Sequence, residues 1–223
     1  MEALSGKSPM AKYWMHSAML TVNGQKMGKS LNNFIVLNDF LKRYTAQQIR
    51  FLMLKNVWHS SVDYSESSMI EVKSALEKLE EFLRKLRTVK EKVKKIGLVK
   101  KLKAEFYEAL HDDFNTPKAF AVLFDCVKQV NDLMAKNMLS ATEAKEIYAF
   151  FQELNTIFGV IDFKKVTATA PLAIKKLLKD RQEARKAQDW QTAANLRKAI
   201  ESKGWTIEAT SSTALPLLVR GFT

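Results

Sequence analysis

Met69, Val72, Leu76, Leu79, Leu83 and Leu86 recur three and four residues apart, so a helix over this run carries one apolar stripe that needs a partner. Ser65 stands before the run as a cap, and Gly97 is where the spacing predicts it to break. A second stripe follows in Leu98, Leu102, Phe106, Ala109 and Leu110. Asn115-Thr116-Pro117 then restarts the chain, with proline just inside a helix start. Residues 118–134 are apolar nearly all round, which predicts the most buried helix of the set. Ser140-x-x-Glu143 has the spacing of a capping box, and behind it Ile147, Phe150, Phe151, Leu154 and Phe158 form a last stripe ended by Gly159. Four or five such helices can hide their stripes only against one another. The expectation is an antiparallel helical bundle over residues 57–161.

The flanks read differently. Residues 8–15 have the composition of a short helix, and residues 18–22 read as a strand entering the Asn23-Gly24 turn. Residues 34–37 look extended, while Asn38 and Thr45 are placed to cap helices beginning at Asp39 and Ala46. Residues 1–56 therefore read as the end of an α/β domain feeding the bundle. On the other side, residues 162–170 lack a stripe and read as a linker. Pro171 opens a smaller unit over residues 171–223. One helix is expected to about Gln188, another from near Asp189 to Gly204, then short strands at residues 205–207 and 215–219. Some fifty residues bury only a small core, so this unit is expected to be mobile. The class is mainly α.

With 47% hydrophobic residues in 223, the chain can bury a core for one or two domains. No apolar run approaches the roughly 18 residues of a membrane span. Glu2, Ser5, Gly6 and Ser8 interrupt any signal-peptide stretch. The single cysteine, Cys126, fits a reducing cytoplasm, and its apolar surroundings read as a buried core thiol. A cytoplasmic protein without a membrane partner is expected. The histidines (His16, His59, His111) lie far apart without cysteine spacing, so no metal site is assigned.

The net charge of +12 and pI near 9.6 point to nucleic acid or another anionic surface. Residues 76–103 hold 11 lysines and arginines against Glu77, Glu80, Glu81 and Glu91, a net of 11 − 4 = +7. A solvated helix face is the plainer explanation of such a run. Its length and single sign favour RNA contact, with Lys94, Lys95, Lys100 and Lys101 as candidate phosphate ligands.

Lys26-Met27-Gly28-Lys29-Ser30 places two lysines three apart on a glycine-containing segment after the Asn23-Gly24 turn, a pattern suited to holding phosphate. The run resembles the Lys-Met-Ser-Lys-Ser signature of class I aminoacyl-tRNA synthetases. Its flanks, Lys12-Tyr13-Trp14-Met15-His16 and Leu31-Asn32-Asn33-Phe34, resemble those of the cysteinyl-tRNA synthetase family. Three further stretches are similar to that family: Trp58-His59-Ser60-Ser61-Val62-Asp63-Tyr64-Ser65, the turn Asp112-Asp113-Phe114-Asn115-Thr116-Pro117, and Ala184-Arg185-Lys186-Ala187-Gln188-Asp189-Trp190 with Leu196-Arg197. The resemblance runs from about residue 2 to about residue 208.

It implies a fold with the end of a class I catalytic domain, a helical bundle that holds tRNA, and a small C-terminal α/β anticodon-binding-like unit. It implies ATP with Mg2+ as cosubstrate and cysteine tRNA as partner. Lys26 and Lys29 would be catalytic, placing charge where pyrophosphate becomes more negative, with Met27, Gly28 and Ser30 completing the ATP loop. Arg185, Trp190 and Arg197 would meet tRNA, Trp190 either by stacking on a base or by packing between the last two helices. The Asp-Asp-Phe-Asn-Thr-Pro turn reads as helix termination rather than catalysis.

Departures also matter. Gly28 stands where the family usually has serine, and Ala194 and Ala209 where it usually has acidic residues that could accept from base amino groups. The family's His-His-Glu-Asn-Glu segment, which contributes zinc ligands, and its histidine-rich ATP motif would precede Glu2. Zinc is therefore expected only in a missing N-terminal half, which a separate polypeptide could supply. The expectation is the C-terminal half of a cysteine–tRNA ligase, catalytically incomplete alone. A non-catalytic tRNA-binding protein derived from a synthetase is the alternative.

Overall fold

The computed structural model describes residues 2–91, 93, 95–168, 171–208 and 217–220. The chain is mainly helical. A short α1 (Glu2–Ser5) precedes β1 (Leu20–Val22) and β2 (Gln25–Lys26), which pair antiparallel across Asn23-Gly24. Both turn residues have positive φ, 51° and 76°, the twist that suits a tight hairpin. Then come α2 (Leu37–Arg43) and α3 (Ala46–Leu54). β3 (Val62–Tyr64) returns beside β1 in parallel, giving the order β2-β1-β3.

No helix forms over residues 8–15, contrary to the sequence expectation. Pro9 biases Ser8 away from the helical region, and Tyr13 and Trp14 are 88% and 66% exposed, with no apolar surface to order a short helix. Asn38 is not a cap either. Helix α2 begins at Leu37, after Val36, whose carbonyl accepts from the Asp39 and Phe40 N–H groups. Phe40, buried edge-on against Tyr44 and Tyr64 at centroid distances of 5.0 and 4.9 Å, sets the phase of that helix. Thr45 does cap α3, through a reciprocal box with Gln48.

The bundle consists of α4 (Glu66–Leu86), α5 (Leu98–His111), α6 (Thr116–Ala135) and α7 (Ala141–Phe158), with α3 packed on α4 and α7. Ser65 caps α4 as expected. The helix ends at Leu86 rather than at Gly97, because its stripe stops there and the Thr88 hydroxyl donates to the Lys85 carbonyl, tying off the end. Gly97, at φ 87°, instead introduces α5. Helix α4, not α6, buries the most side chains; Lys118, Asp125, Lys128 and Asp132 leave α6 a solvent face.

Ser140 accepts from the Glu143 N–H, yet the capping box is only half formed. The fully buried Glu143 carboxylate points across the bundle and accepts from the Ile96, Gly97 and Leu98 N–H groups at 3.0, 2.7 and 2.7 Å. It thus caps α5, whose own N-cap, Gly97, has no side chain to do so. One apolar cluster runs from Phe40 to Val166. Leu79 and Leu83 at its centre are fully buried, each worth about 1.5–3 kcal/mol of transfer free energy.

Residues 162–168 do not form a plain linker, and residues 169 and 170 lie outside the described residues. Helix α8 (Phe163–Thr167) is capped by Asp162 and packs on α4 through buried Val166; five residues are too few for a stripe to show in sequence. Its start lies over Glu80, which is 6% exposed and 4.0 Å from Arg84. Burial pushes the Glu80 carboxyl up to about 7, although Lys165 and Arg84 pull it down. Its folded pKa lies above the unfolded value of 4.5, so the folded state holds the extra proton between these values. Stability falls as pH rises from about 4.5 to about 7. Glu80→Gln is expected to remove that dependence, gaining about 2 kcal/mol over the parent between pH 4.5 and pH 8. Urea denaturation at the two pH values checks it.

The last unit comprises α9 (Leu172–Lys186), α10 (Trp190–Glu201), and β4 (Trp205–Glu208) paired antiparallel with β5 (Leu217–Arg220). Its core is small, as expected: buried Ile174, Ile200 and Trp205. Ala209 and residues 215 and 216 lie outside the described residues.

Candidate functional site

The Lys26–Lys29 loop grows out of the β1–β2 hairpin, and the hairpin is fastened to β3. The Asp63 carboxylate accepts from the Thr21 hydroxyl at 2.6 Å and from the Gly24 N–H at 2.7 Å. These bonds hold the Asp63 carboxyl below its ordinary range, the Thr21 bond contributing most. The Asn23 N–H donates to the Tyr64 carbonyl. Immediately beyond, Glu66 at the start of α4 accepts from Tyr44 and Tyr64 and pairs with Arg43. The Tyr44 bond first, then those of Tyr64 and Arg43, hold its carboxyl down at about 2. The loop base is thereby tied to the first helix of the bundle.

Within the loop, Met27 and Gly28 are half-buried, while Lys26, Lys29 and Ser30 are exposed. Gly28 is extended (φ −162°, ψ 146°), a conformation open to any residue. A Cβ there would meet nothing nearer than the Ser30 hydroxyl, at 3.8 Å, and the Leu31 side chain, at 4.0 Å, so a serine fits without strain. Lys29 opens a single 3₁₀ turn, Lys29–Leu31, and its ammonium lies 5.7 Å from the Phe34 ring centroid. Asn33 bridges the flanks, accepting from the Gly28 N–H at 2.8 Å and donating to the Lys26 carbonyl at 3.1 Å. Neither Lys26 nor Lys29 has an ion pair among the described residues. Two uncompensated positive charges on one short loop attract phosphate oxygens.

The basic stretch is less one-signed in space than in sequence. Lys95 pairs with Glu146 at 2.6 Å and Lys103 with Glu153 at 2.6 Å, both acids coming from α7. Lys101 pairs with Glu105 at 3.6 Å, and Arg84 is buried. Lys100 is exposed and has no ion pair among the described residues; Lys94 lies outside them. In the last unit Trp190 is 62% exposed, so it does not pack between the two helices. Asp189, the N-cap of α10, precedes it and accepts from the Thr192 N–H. Arg185 is exposed, and Arg197 pairs with Glu201 at 2.8 Å. Beside them Arg181, half-buried, leaves its Nε without a hydrogen-bond partner, and burial together with Arg185 and Arg197 disfavours its charge. Ala194 is exposed.

Asp63, Asn33, Glu143 and Arg181 were not singled out from sequence as site residues. The first three act across contacts that no local spacing announces. A largely apolar cavity of about 660 Å³, lined by Met15, Met19, Met53, Trp58, Leu110 and Phe114 among others, was also not foreseen. Among the described residues no three His, Cys, Asp or Glu side chains gather as a metal site requires. Cys126 does not fit a zinc ligand, since burial pushes its thiol up to about 12. No helix of the described residues is long and apolar enough to cross a membrane.

Comparison with known proteins agrees with this geometry. Residues 1–74, which hold the hairpin, the loop and β3, match the family described as tRNA synthetases class I (C) catalytic domain. Residues 105–162 match the DALR domain. The chain is 34% identical over 213 residues to a cysteine–tRNA ligase of Protochlamydia amoebophila, covering 94% of this chain and 44% of that protein. For the enzyme of the same name from Chlamydia pneumoniae the identity is 31%, covering 95% and 45%. For that of Escherichia coli it is 35%, covering 88% and 43%. The chain thus spans a little under half the length of the curated relatives it matches. With its loop, its bundle and these relatives in agreement, the chain belongs to the cysteine–tRNA ligase family of class I aminoacyl-tRNA synthetases.

Proposed function

We propose that this chain supplies the ATP-phosphate loop and the tRNA-holding part of a cysteine–tRNA ligase, which adenylates cysteine with ATP and Mg2+ and passes it to the terminal ribose of cysteine tRNA. The observation that carries this reading is the pair of exposed, uncompensated lysines, Lys26 and Lys29, on a loop anchored to the bundle. In it, residues 1–56 are the end of the catalytic domain, residues 57–161 the tRNA-binding bundle, and residues 171–223 an anticodon-binding-like unit. Lys26 and Lys29 neutralise the phosphates as pyrophosphate leaves, and Met27, Gly28 and Ser30 shape the loop. Lys94, Lys95, Lys100 and Lys101 follow the tRNA backbone, joined by Arg185, Arg197 and Trp190. The setting is cytoplasmic. Catalysis requires the rest of the class I fold.

Binding to tRNA is expected to be mainly electrostatic, because phosphate contacts position a protein without reading sequence. Affinity should fall steeply as salt rises. Changing the anticodon should cost less than about 1 kcal/mol, since exposed Ala194 offers no carboxylate to a base. Filter binding with cysteine tRNA and an anticodon variant at several salt concentrations checks this. Strong anticodon discrimination with a flat salt dependence would contradict it. A second reading, tRNA binding without catalysis, draws on Gly28, which removes the hydroxyl the family usually has in the loop.

A further inference from the structure

Two like charges three residues apart repel, and a loop bearing them gains nothing by holding them together unless something fastens it. Asn33 is that fastening. Its carbonyl oxygen accepts from the Gly28 N–H at 2.8 Å, and its amide nitrogen donates to the Lys26 carbonyl at 3.1 Å. Both ends of the side-chain amide are in use, so a carboxylate could replace only one bond and a methyl group neither. Asn33 is half-buried, and its neighbours extend the closure. The Phe34 ring lies under the Lys29 ammonium, and the Ile35 N–H donates to the Met27 sulfur at 3.4 Å. The ring of residues 26–33 stands on a hairpin that Asp63 fixes to β3.

We propose that Asn33 is the positioning residue of this loop, fastening its two flanks so that the Lys26 and Lys29 ammonium groups meet one polyphosphate together. The proposal rests on the phosphate-loop reading above. Asn33 touches no phosphate; it spares the ligand the ordering of the loop. A polyphosphate that engages both lysines gains from that order. A single phosphate that engages one lysine does not.

The test uses the 223-residue chain with inorganic pyrophosphate and inorganic phosphate, each followed by amide NMR titration. The parent chain should bind pyrophosphate with shifts over residues 26–33, and Lys29→Ala should lose most of that affinity. Asn33→Ala should weaken pyrophosphate about 10-fold, the worth of two modest hydrogen bonds, and leave phosphate affinity within about twofold. Exchange of the Gly28 N–H should quicken while the bundle amides stay protected. If Lys29→Ala loses binding and Asn33→Ala does not, the loop reading stands and the positioning role falls. Equal losses for both ligands, or weaker binding without faster Gly28 exchange, would likewise overturn the positioning role. Absence of pyrophosphate binding by the parent chain would overturn the phosphate-loop reading and this proposal with it.

Discussion

Lys29→Ala is expected to lower cysteine-dependent ATP–pyrophosphate exchange about 10²-fold when this chain is joined to the rest of a relative's catalytic fold. The charge on Lys29 is exposed, lacks an ion pair among the described residues, and sits on a loop whose base Asp63 and Asn33 hold in place. Such a charge is felt most where negative charge develops, so its removal should act on the rate more than on ATP affinity. The effect on tRNA should be small, because at most one phosphate contact is lost from many. Lys29→Arg keeps the charge and should recover most of the rate. Unchanged exchange kinetics in Lys29→Ala would remove the catalytic role of the loop.

Glu143→Ala should destabilise the fold by about 3 kcal/mol. The fully buried carboxylate serves three N–H groups of residues 96–98, and Gly97 offers no side chain in its place. Removing it leaves those donors without their acceptor and a void at the bundle end. Glu143→Gln keeps an oxygen for Gly97 and Leu98 but turns an amide toward the Ile96 N–H, so roughly half of the loss is expected. Urea denaturation gives both values; a shift of midpoint without a change in slope is the expected form. A loss below about 1 kcal/mol for the alanine variant would show that water replaces the cap at little cost.

What could be read from sequence follows the range of the interaction. The caps at Thr45, Ser65 and Ser140, the helix starts near Asn115 and Asp189 and the stop at Gly159 were legible, because each acts within a few residues. The stripes gave the bundle for the same reason. The box at Ser140 misled at its second residue: Glu143 has an equally good use on a helix 45–47 residues away in sequence, which no spacing rule sees. The charge of residues 76–103 was counted along the chain, whereas Lys95 and Lys103 meet acids 50 or more residues on. The two lysines of the loop were visible as a motif. Their fastening by Asp63 was not, since that contact spans 39 residues. Trp190 shows the limit for aromatics, as a tryptophan at a helix start serves equally for packing or for display until its neighbours are known.

Charging of cysteine tRNA tests most directly whether this chain is one working part of a cysteine–tRNA ligase. The chain would be assayed alone and joined to the remaining catalytic segment of the Escherichia coli relative, each with cysteine, ATP and cysteine tRNA. No charging is expected from the chain alone, and cysteine-specific charging from the joined protein. Charging by the chain unaided, or tRNA binding with no charging once the catalytic segment is joined, would contradict this.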